Sequence, residues 1–448
     1  MSVNEAIFKA YDIRGVYPDE LDEGVAEKVG YALAGQLGAR RLALGMDPRP
    51  SSTGLLEAVA AGARAAGSGC VDFGLVPTEM LYYGVAAHGL DGGVMVTASH
   101  NPPQYNGMKM VGQGGLPLSG EQGIPELRER VRGLGGVPGE RRGGHERHDL
   151  YPEYVGHLRR LVDVTRLPAL RVVMDAANGV AGKLVPRLFE GSPVERVELY
   201  FEVDGTFPNH EPNPLLPENI AALRARVLAE KADLGIAWDG DADRCLFVDE
   251  GGEAVPGDFV TALLAEALLR RHPGARILYD VRASRAVPDV IRANGGVPLV
   301  NRVGHAFFKQ RMRREDILFG GEVSGHYYFR ENHNADSGFL PALLILELLG
   351  ERRATLGELL APLRSRYFIS GEINSVVDDV PAALARLRER YADGEVSTLD
   401  GVSGDYEHWH FNVRPSNTEP LLRLNLEADS RELMEEKRDE VLAVIRGG

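Results

Sequence analysis

Three times along the chain a basic residue opens a short apolar run that closes on aspartate: Arg41-Leu-Ala-Leu-Gly-Met-Asp47, Arg171-Val-Val-Met-Asp175 and Arg276-Ile-Leu-Tyr-Asp280. Each is followed by a helix-like stretch, over 52–66, 182–190 and 283–294. Each is then answered by a second apolar run led by aspartate: Asp91-Gly-Gly-Val-Met-Val, Asp233-Leu-Gly-Ile-Ala-Trp and Asp316-Ile-Leu-Phe-Gly-Gly. Continuous apolar runs joined by helices read as parallel strands buried on both faces. The aspartate at the end of each first run is expected to cap the helix behind it. The last eighty residues change pattern. They predict a strand over 368–377, a helix over 382–391, paired strands over 408–413 and 421–427, and a closing charged helix over 431–446.

Each second run gives way to a polar, reactive loop: Thr97-Ala-Ser-His-Asn-Pro102, Asp239-Gly-Asp-Ala-Asp-Arg244 and Glu322-Val-Ser-Gly-His326. All three loops fall at the carboxyl end of an expected strand, where open α/β sheets place ligands. In the first, the strand runs into Ser99 and Asn-Pro then ends regular structure, so the hydroxyl is held on a rigid turn. His100 is its neighbour, but adjacent side chains of an extended segment point apart. In the second, Asp239, Asp241 and Asp243 repel one another unless a cation sits among them, and an all-oxygen set suits Mg²⁺ or Ca²⁺. Arg244 stands where a calcium EF-hand needs glycine, which leaves Mg²⁺. In the third, Glu322 and Ser324 are two residues apart, so in an extended loop both face one side, a layout that fits vicinal hydroxyls. A fourth loop, Arg414-Pro-Ser-Asn-Thr-Glu-Pro420, joins a guanidinium to the directional donors of Ser416, Asn417 and Thr418, the chemistry of a phosphate cradle.

Composition narrows the field. The 448 residues carry 50 Lys and Arg against 65 Asp and Glu, a formal charge of −15, and two cysteines. The acidic excess argues against nucleic acid as a partner, though a local basic cluster can still hold an anion. Two cysteines make no disulfide scaffold and no cysteine zinc site. The opening residues resemble neither a signal nor a transit peptide, and the most apolar stretch, 339–350, is too short to span a bilayer and contains Glu347. A cytoplasmic protein with no membrane partner is expected.

The stretch TASHNPPQYNGMK, residues 97–109, resembles the phosphoserine loop of the α-D-phosphohexomutases, the phosphomannomutase/phosphoglucomutase superfamily. The DGDADR and GEVSGH loops, the Arg414 loop and the opening FKAYDIRG follow that family's order, and the likeness covers essentially the whole chain. It implies an α/β fold: three similar mixed α/β sheet domains and a smaller α+β C-terminal domain around a central cleft. The expected boundaries are 1–150, 151–250, 251–366 and 367–448. It implies that Ser99 is stored phosphorylated, with His100 and Lys109 beside the phosphoryl group, and that Ser99, Asp239, Asp241 and Asp243 hold Mg²⁺. Arg14, His100, Lys109 and His326 become candidates for charge stabilisation and acid–base work. Tyr11, Lys9, Arg244, Arg282, His305, Glu322 and Ser324 become substrate contacts. Arg414, Ser416, Asn417 and Thr418 receive the substrate's non-reacting phosphate. At position 282 a related mutase can carry lysine, so Arg282 departs from the pattern.

The implied reaction interconverts hexose 1-phosphate and hexose 6-phosphate, of mannose or glucose, through a 1,6-bisphosphate that also serves as activator. The partners are then small sugar phosphates, and the chain is a monomer or a homodimer. Two other readings use the same motifs. A Mg²⁺-dependent sugar-phosphate phosphatase would release inorganic phosphate, and a non-catalytic sugar-phosphate-binding protein would keep the Arg414 cradle without needing Ser99. A dehalogenase-type phosphatase, with Asp239 as nucleophile, leaves the serine loop unexplained.

Overall fold

The computed structural model describes residues 3–120, 122–140, 142–416 and 421–447. The chain divides into two compact units. One takes Met1–Val255, Lys309–Glu315 and Ser324–Thr355, the other Pro256–Phe308, Asp316–Val323 and Leu356–Gly448.

The first unit holds two sheets built on the repeat. In the first sheet, Arg41–Met46 lies between its parallel neighbours Gly69–Leu75 and Gly92–Val96, and Tyr105–Gly112 returns antiparallel beside Gly92–Val96. In the second, Arg171–Asp175 lies between Glu195–Leu199 and Leu234–Trp238, and Cys245–Asp249 returns antiparallel. The second unit repeats the parallel part: Arg276–Asp280 between Val297–Asn301 and Phe319–Gly321. The strands of the repeat are apolar because helices cover them, as Ser52–Ala65, Ala181–Leu188 and Ala286–Ala293 do. Tight packing of Glu23–Leu37 on Ser52–Ala65 depends on Gly62, where a Cβ would lie 1.8 Å from the Glu27 carbonyl oxygen.

The aspartates that close the first runs do not cap those helices. Ser51, Val180 and Arg285 stand at the caps, and none makes a side-chain cap hydrogen bond. Instead each aspartate accepts the N–H two residues on: Arg49 to Asp47 at 3.1 Å, Ala177 to Asp175 at 2.8 Å and Arg282 to Asp280 at 2.8 Å. This local turn competes with the cap for the same carboxylate, and here it wins three times.

The C-terminal part is an antiparallel sheet with Leu421–Ala428 paired to Trp409–Pro415. Helices Val380–Arg390 and Arg431–Arg446 pack on it through Leu387, Trp409, Phe411, Val441 and Ile445. Asp379 and Ser430 cap these helices, accepting from the Ala382 and Leu433 N–H groups. The strand expected over 368–377 is broken into Phe368–Ile369 and Ile373–Val376, because Gly371 takes φ 68°. Two short strands without an apolar signature, Glu395–Ser397 and Val402–Asp405, extend the other edge. The apolar stretch near 339–350 is a buried helix, Phe339–Arg352. Among the described residues no helix is long and apolar enough to cross a membrane.

Candidate active site

The serine loop leaves strand Gly92–Val96 and turns at once. Ser99 takes φ 54°, a left-handed conformation that costs a non-glycine residue energy and persists only where its surroundings enforce it. The enforcing group is Arg49, buried to 2% exposure. Its guanidinium donates to the carbonyl oxygens of Ser99 (3.0 Å), Asn101 (2.6 Å), Pro102 (2.6 Å) and Tyr105 (3.1 Å), and its Nε donates to Asp47 at 2.8 Å. Thr97 adds a second brace, accepting the Ser99 N–H at 2.8 Å and donating to Asp47 at 2.8 Å. The left-handed turn also undoes the expectation that Ser99 and His100 diverge: Ser99 Oγ lies 3.2 Å from His100 Nδ1. Burial, helped by Arg244 and Arg14, pushes the His100 imidazole well below its usual range and keeps it neutral.

Across from it, Asp239, Asp241 and Asp243 are buried and bring one carboxylate oxygen each within 4.8 Å of the others. Ser99 Oγ donates to Asp239 Oδ2 at 3.1 Å. The backbones approach so closely that a Cβ on Gly240 would lie 2.7 Å from the Ser99 carbonyl oxygen. Lys109 Nζ donates to Asp241 at 2.7 Å and Asp243 at 2.5 Å. Burial opposes its charge, and the two carboxylates outweigh burial, so Lys109 stays an ammonium. Thr78 Oγ1 donates to Asp241 at 2.6 Å, and the Arg244 N–H to Asp239 Oδ1 at 3.1 Å. Among the described residues, Asp241 Oδ1 and Asp243 Oδ1 remain buried without a hydrogen-bond partner. Burial, then the charges of Asp243 and Asp241, drives the Asp239 carboxyl well above its usual range. Three crowded carboxylates with two unsatisfied buried oxygens are what a hard divalent cation relieves, so the residues present fit Mg²⁺.

Elsewhere in the first unit, Arg14 donates to Asn101 Oδ1 and to Asp12, each at 2.6 Å, which ties it to the serine loop. Tyr11 is half-buried and Lys9 exposed, both just ahead of strand Ile13–Val16. Ser324 Oγ and His326 Nδ1 are 3.0 Å apart, and His326 Nε2 lies 3.5 Å from Asp243 Oδ1. Residues 323–325 form a turn rather than an extended run, with Gly325 at φ 82°.

In the second unit, Arg282 is clasped on its own loop. It donates to Asp280 through Nε (3.0 Å) and Nη2 (2.8 Å), and Nη1 reaches Glu372 at 3.5 Å. Glu322 is buried, accepts the Gly304 N–H at 2.9 Å and lies 4.0 Å from Arg282. His305 opens the helix His305–Glu315. Arg414 is buried at the end of strand Trp409–Pro415, and among the described residues its Nε has no hydrogen-bond partner. Burial, then the nearby Arg282 charge, pulls its guanidinium below its usual range. Arg423 donates to Glu372 at 2.9 Å, so three guanidinium groups gather near one carboxylate. Ser416 follows that strand, and Asn417 and Thr418 lie outside the described residues.

Sequence reasoning passed over Arg49, Thr78 and Thr97 in the first unit and Glu372 and Arg423 in the second. A signal for Arg49 was present. Asp47-Pro-Arg49 and Asp280-Val-Arg282 are the same Asp-x-Arg at the same point of the repeat, and both fold the guanidinium back on the aspartate. In the middle repeat His210 takes that place, 3.1 Å from Asp175 Oδ2.

Four family models match in chain order: domains I, II and III of phosphoglucomutase/phosphomannomutase, each described as alpha/beta/alpha, over residues 5–133, 152–252 and 256–367, and the C-terminal domain over 372–444. The chain therefore belongs to the phosphoglucomutase/phosphomannomutase family, an α-D-phosphohexomutase of four domains. A protein of Xanthomonas campestris named phosphohexose mutases is 44% identical over 443 residues, covering 98% of this chain and 99% of that one. A Salmonella typhimurium phosphomannomutase is 42% identical over 449 residues, covering 98% of each. A crystal structure of a Burkholderia thailandensis phosphoglucomutase/phosphomannomutase family protein superposes with a TM-score of 0.90 at 36% identity, covering 99% of this chain and 98% of that one. The activity that goes with this membership is that of a phosphohexose mutase, an isomerase of carbohydrate metabolism.

Proposed function

We propose that the chain interconverts the 1- and 6-phosphates of mannose and glucose by lending a phosphoryl group from Ser99 and recovering another from a hexose 1,6-bisphosphate. The observation that carries this is the Ser99 hydroxyl, held in a strained turn 3.1 Å from Asp239 in a loop where the buried Asp241 Oδ1 has no hydrogen-bond partner among the described residues. Asp239, Asp241 and Asp243, with an oxygen on phosphorylated Ser99, would hold Mg²⁺, which when bound neutralises negative charge on the transferring group.

The chain's own groups do the rest. A sugar hydroxyl forms a bond to the phosphorus as the Ser99 Oγ–P bond breaks. The hydroxyl's proton passes to a neighbouring base, and the departing Ser99 oxygen takes a proton from a neighbouring acid, for which the Lys109 ammonium is the candidate, so that Ser99 leaves as a hydroxyl. Neutral His100, 3.2 Å from Ser99 Oγ, suits taking the Ser99 proton in the return half-reaction, when that hydroxyl recovers a phosphoryl group from the bisphosphate. Lys109, Arg14 and Arg244 offset charge on the phosphoryl oxygens. In the second unit, Glu322 receives sugar hydroxyls and Arg414 the distal phosphate, with Arg282 and Arg423 adding positive charge. One grip on the distal phosphate serves both half-reactions while the bisphosphate turns end for end. The domain limits 1–150, 151–250, 251–366 and 367–448 remain part of this proposal.

The test is a time course with mannose 1-phosphate and with glucose 1-phosphate, with Mg²⁺ and a trace of the matching bisphosphate. Formation of the 6-phosphates supports the reading. Release of inorganic phosphate in their place assigns the chain to hydrolysis.

A further inference from the structure

Away from the serine and aspartate loops, His88, His148 and Glu153 bring three donor atoms together within 4.8 Å. They come from separate elements. His88 is the C-cap of helix Thr78–Ala87, His148 follows strand His145–Arg147, and Glu153 lies in the first turn of helix Tyr151–Leu161. Glu153 spends one carboxylate oxygen on each ring: His88 Nε2 at 2.9 Å and His148 Nε2 at 2.7 Å. The rings meet edge to face with centroids 5.0 Å apart, and the Phe73 ring lies 6.4 and 6.1 Å from them. Their backbones are anchored, His88 N–H to the Gly84 carbonyl and His148 N–H to the Asp72 carbonyl. All three side chains are between 30 and 41% exposed, which lets a hydrated ion reach them and keep a water as a further ligand.

We propose that His88, His148 and Glu153 form a second, peripheral metal site, selective for a borderline transition-metal ion of the Zn²⁺ class. Two imidazoles and one carboxylate are a donor set that Zn²⁺ accepts as three of four ligands, whereas imidazole is a poor partner for Mg²⁺. The ion replaces the two histidine–carboxylate contacts, which as exposed pairs are worth little. It links the end of helix Thr78–Ala87 to the segment that leaves the first sheet and to the helix after it, so its expected role is a clasp between these elements.

The probe is Zn²⁺ itself, followed by calorimetry, with Co²⁺ as an optical reporter, on chelator-stripped full-length chain in excess Mg²⁺ to occupy the carboxylate loop. The expected result is one ion per chain, nitrogen-ligated Co²⁺ absorption and a raised melting temperature. His148→Ala and Glu153→Gln then weaken binding at least about tenfold and leave zinc-free activity unchanged. Absence of Zn²⁺ uptake below millimolar concentration overturns the proposal, and so does equal affinity in His88→Ala, His148→Ala and the parent chain.

Discussion

The Arg49 guanidinium donates to the Ser99 carbonyl oxygen at 3.0 Å, and with three further carbonyls it fixes the one backbone turn that aims the Ser99 hydroxyl at Asp239. Arg49→Lys keeps the charge but loses the planar fork, so it cannot hold four carbonyls at once. The expected outcome is a fall in kcat of about 10²-fold with KM little changed, since a misplaced nucleophile costs rate rather than binding. Arg49→Ala leaves Asp47 buried and unpaired, and should lower stability by about 3–5 kcal/mol. Steady-state kinetics of the lysine variant and denaturant unfolding of the alanine variant check the two halves.

Lys109 pairs with two of the three aspartates that fit Mg²⁺ and offsets one of their charges. In Lys109→Met the carboxylates repel without relief, so the chain should melt at lower temperature in chelator. Added Mg²⁺ should restore more stability to the variant than to the parent chain. Activity should still fall by about 10²–10³-fold, because the donor proposed for the transferring group is gone. Melting curves with and without Mg²⁺ separate this from simple misfolding, which Mg²⁺ would not repair.

Arg282 grips Asp280 bidentately, and that carboxylate also accepts the Val323 N–H at 2.9 Å, one residue beyond Glu322. Arg282→Lys gives up the fork and loosens the Glu322 loop. The expected outcome is a rise in KM for hexose 1-phosphate of about tenfold or more, with a smaller change in kcat. An unchanged KM would mean that the clasp does not position Glu322.

Glu427, on strand Leu421–Ala428, accepts the Arg285 N–H at 3.2 Å, and Arg285 also bonds Asp405 and the Tyr406 carbonyl. Burial raises the Glu427 carboxyl to about 8. Asp258 adds to the rise, while Ser284 and Arg285 oppose it. The folded chain thus keeps a proton that the unfolded chain gives up above 4.5, so this group's contribution falls as pH climbs from 4.5 to about 8 and is flat beyond. Asp258, raised by burial to about 6, acts the same way lower down. His410, 3.6 Å from Glu427 and lowered by burial to about 4, acts oppositely and only below its ordinary value of 6.5. Between pH 7 and 9 Glu427 therefore acts alone within this cluster and removes about 1 kcal/mol. Melting at both pH values should show that slope in the parent chain and lose it in Glu427→Gln.

The repeat was legible because buried parallel strands leave continuous apolar runs, and the three Asp-led second runs each end at a site loop. Ser99 and the aspartate loop were legible because their chemistry is concentrated in a few consecutive residues. Arg49 was passed over although Asp47-x-Arg49 repeats at Asp280-x-Arg282, since the carbonyl oxygens it acts through carry no side-chain signature. The meeting of Ser99 with His100 depends on a positive φ that a serine does not advertise. Strands Glu395–Ser397 and Val402–Asp405 escaped notice because most of their residues are polar or glycine; pairing recruits them, Val402–Asp405 to Trp409–Pro415 and Glu395–Ser397 to Val402–Asp405. The aspartates expected to cap the helices do not, because a turn to the N–H two residues on satisfies the same carboxylate sooner along the chain.

The most direct test is to incubate the chain with glucose 1,6-bisphosphate carrying labelled phosphate, quench, and map the label by peptide mass spectrometry. One labelled phosphate on Ser99, discharged to the 1- or 6-phosphate of an added hexose phosphate and absent in Ser99→Ala, is the expected result. Label that never enters the protein while 6-phosphate still forms, or label that passes only to inorganic phosphate, would contradict the account.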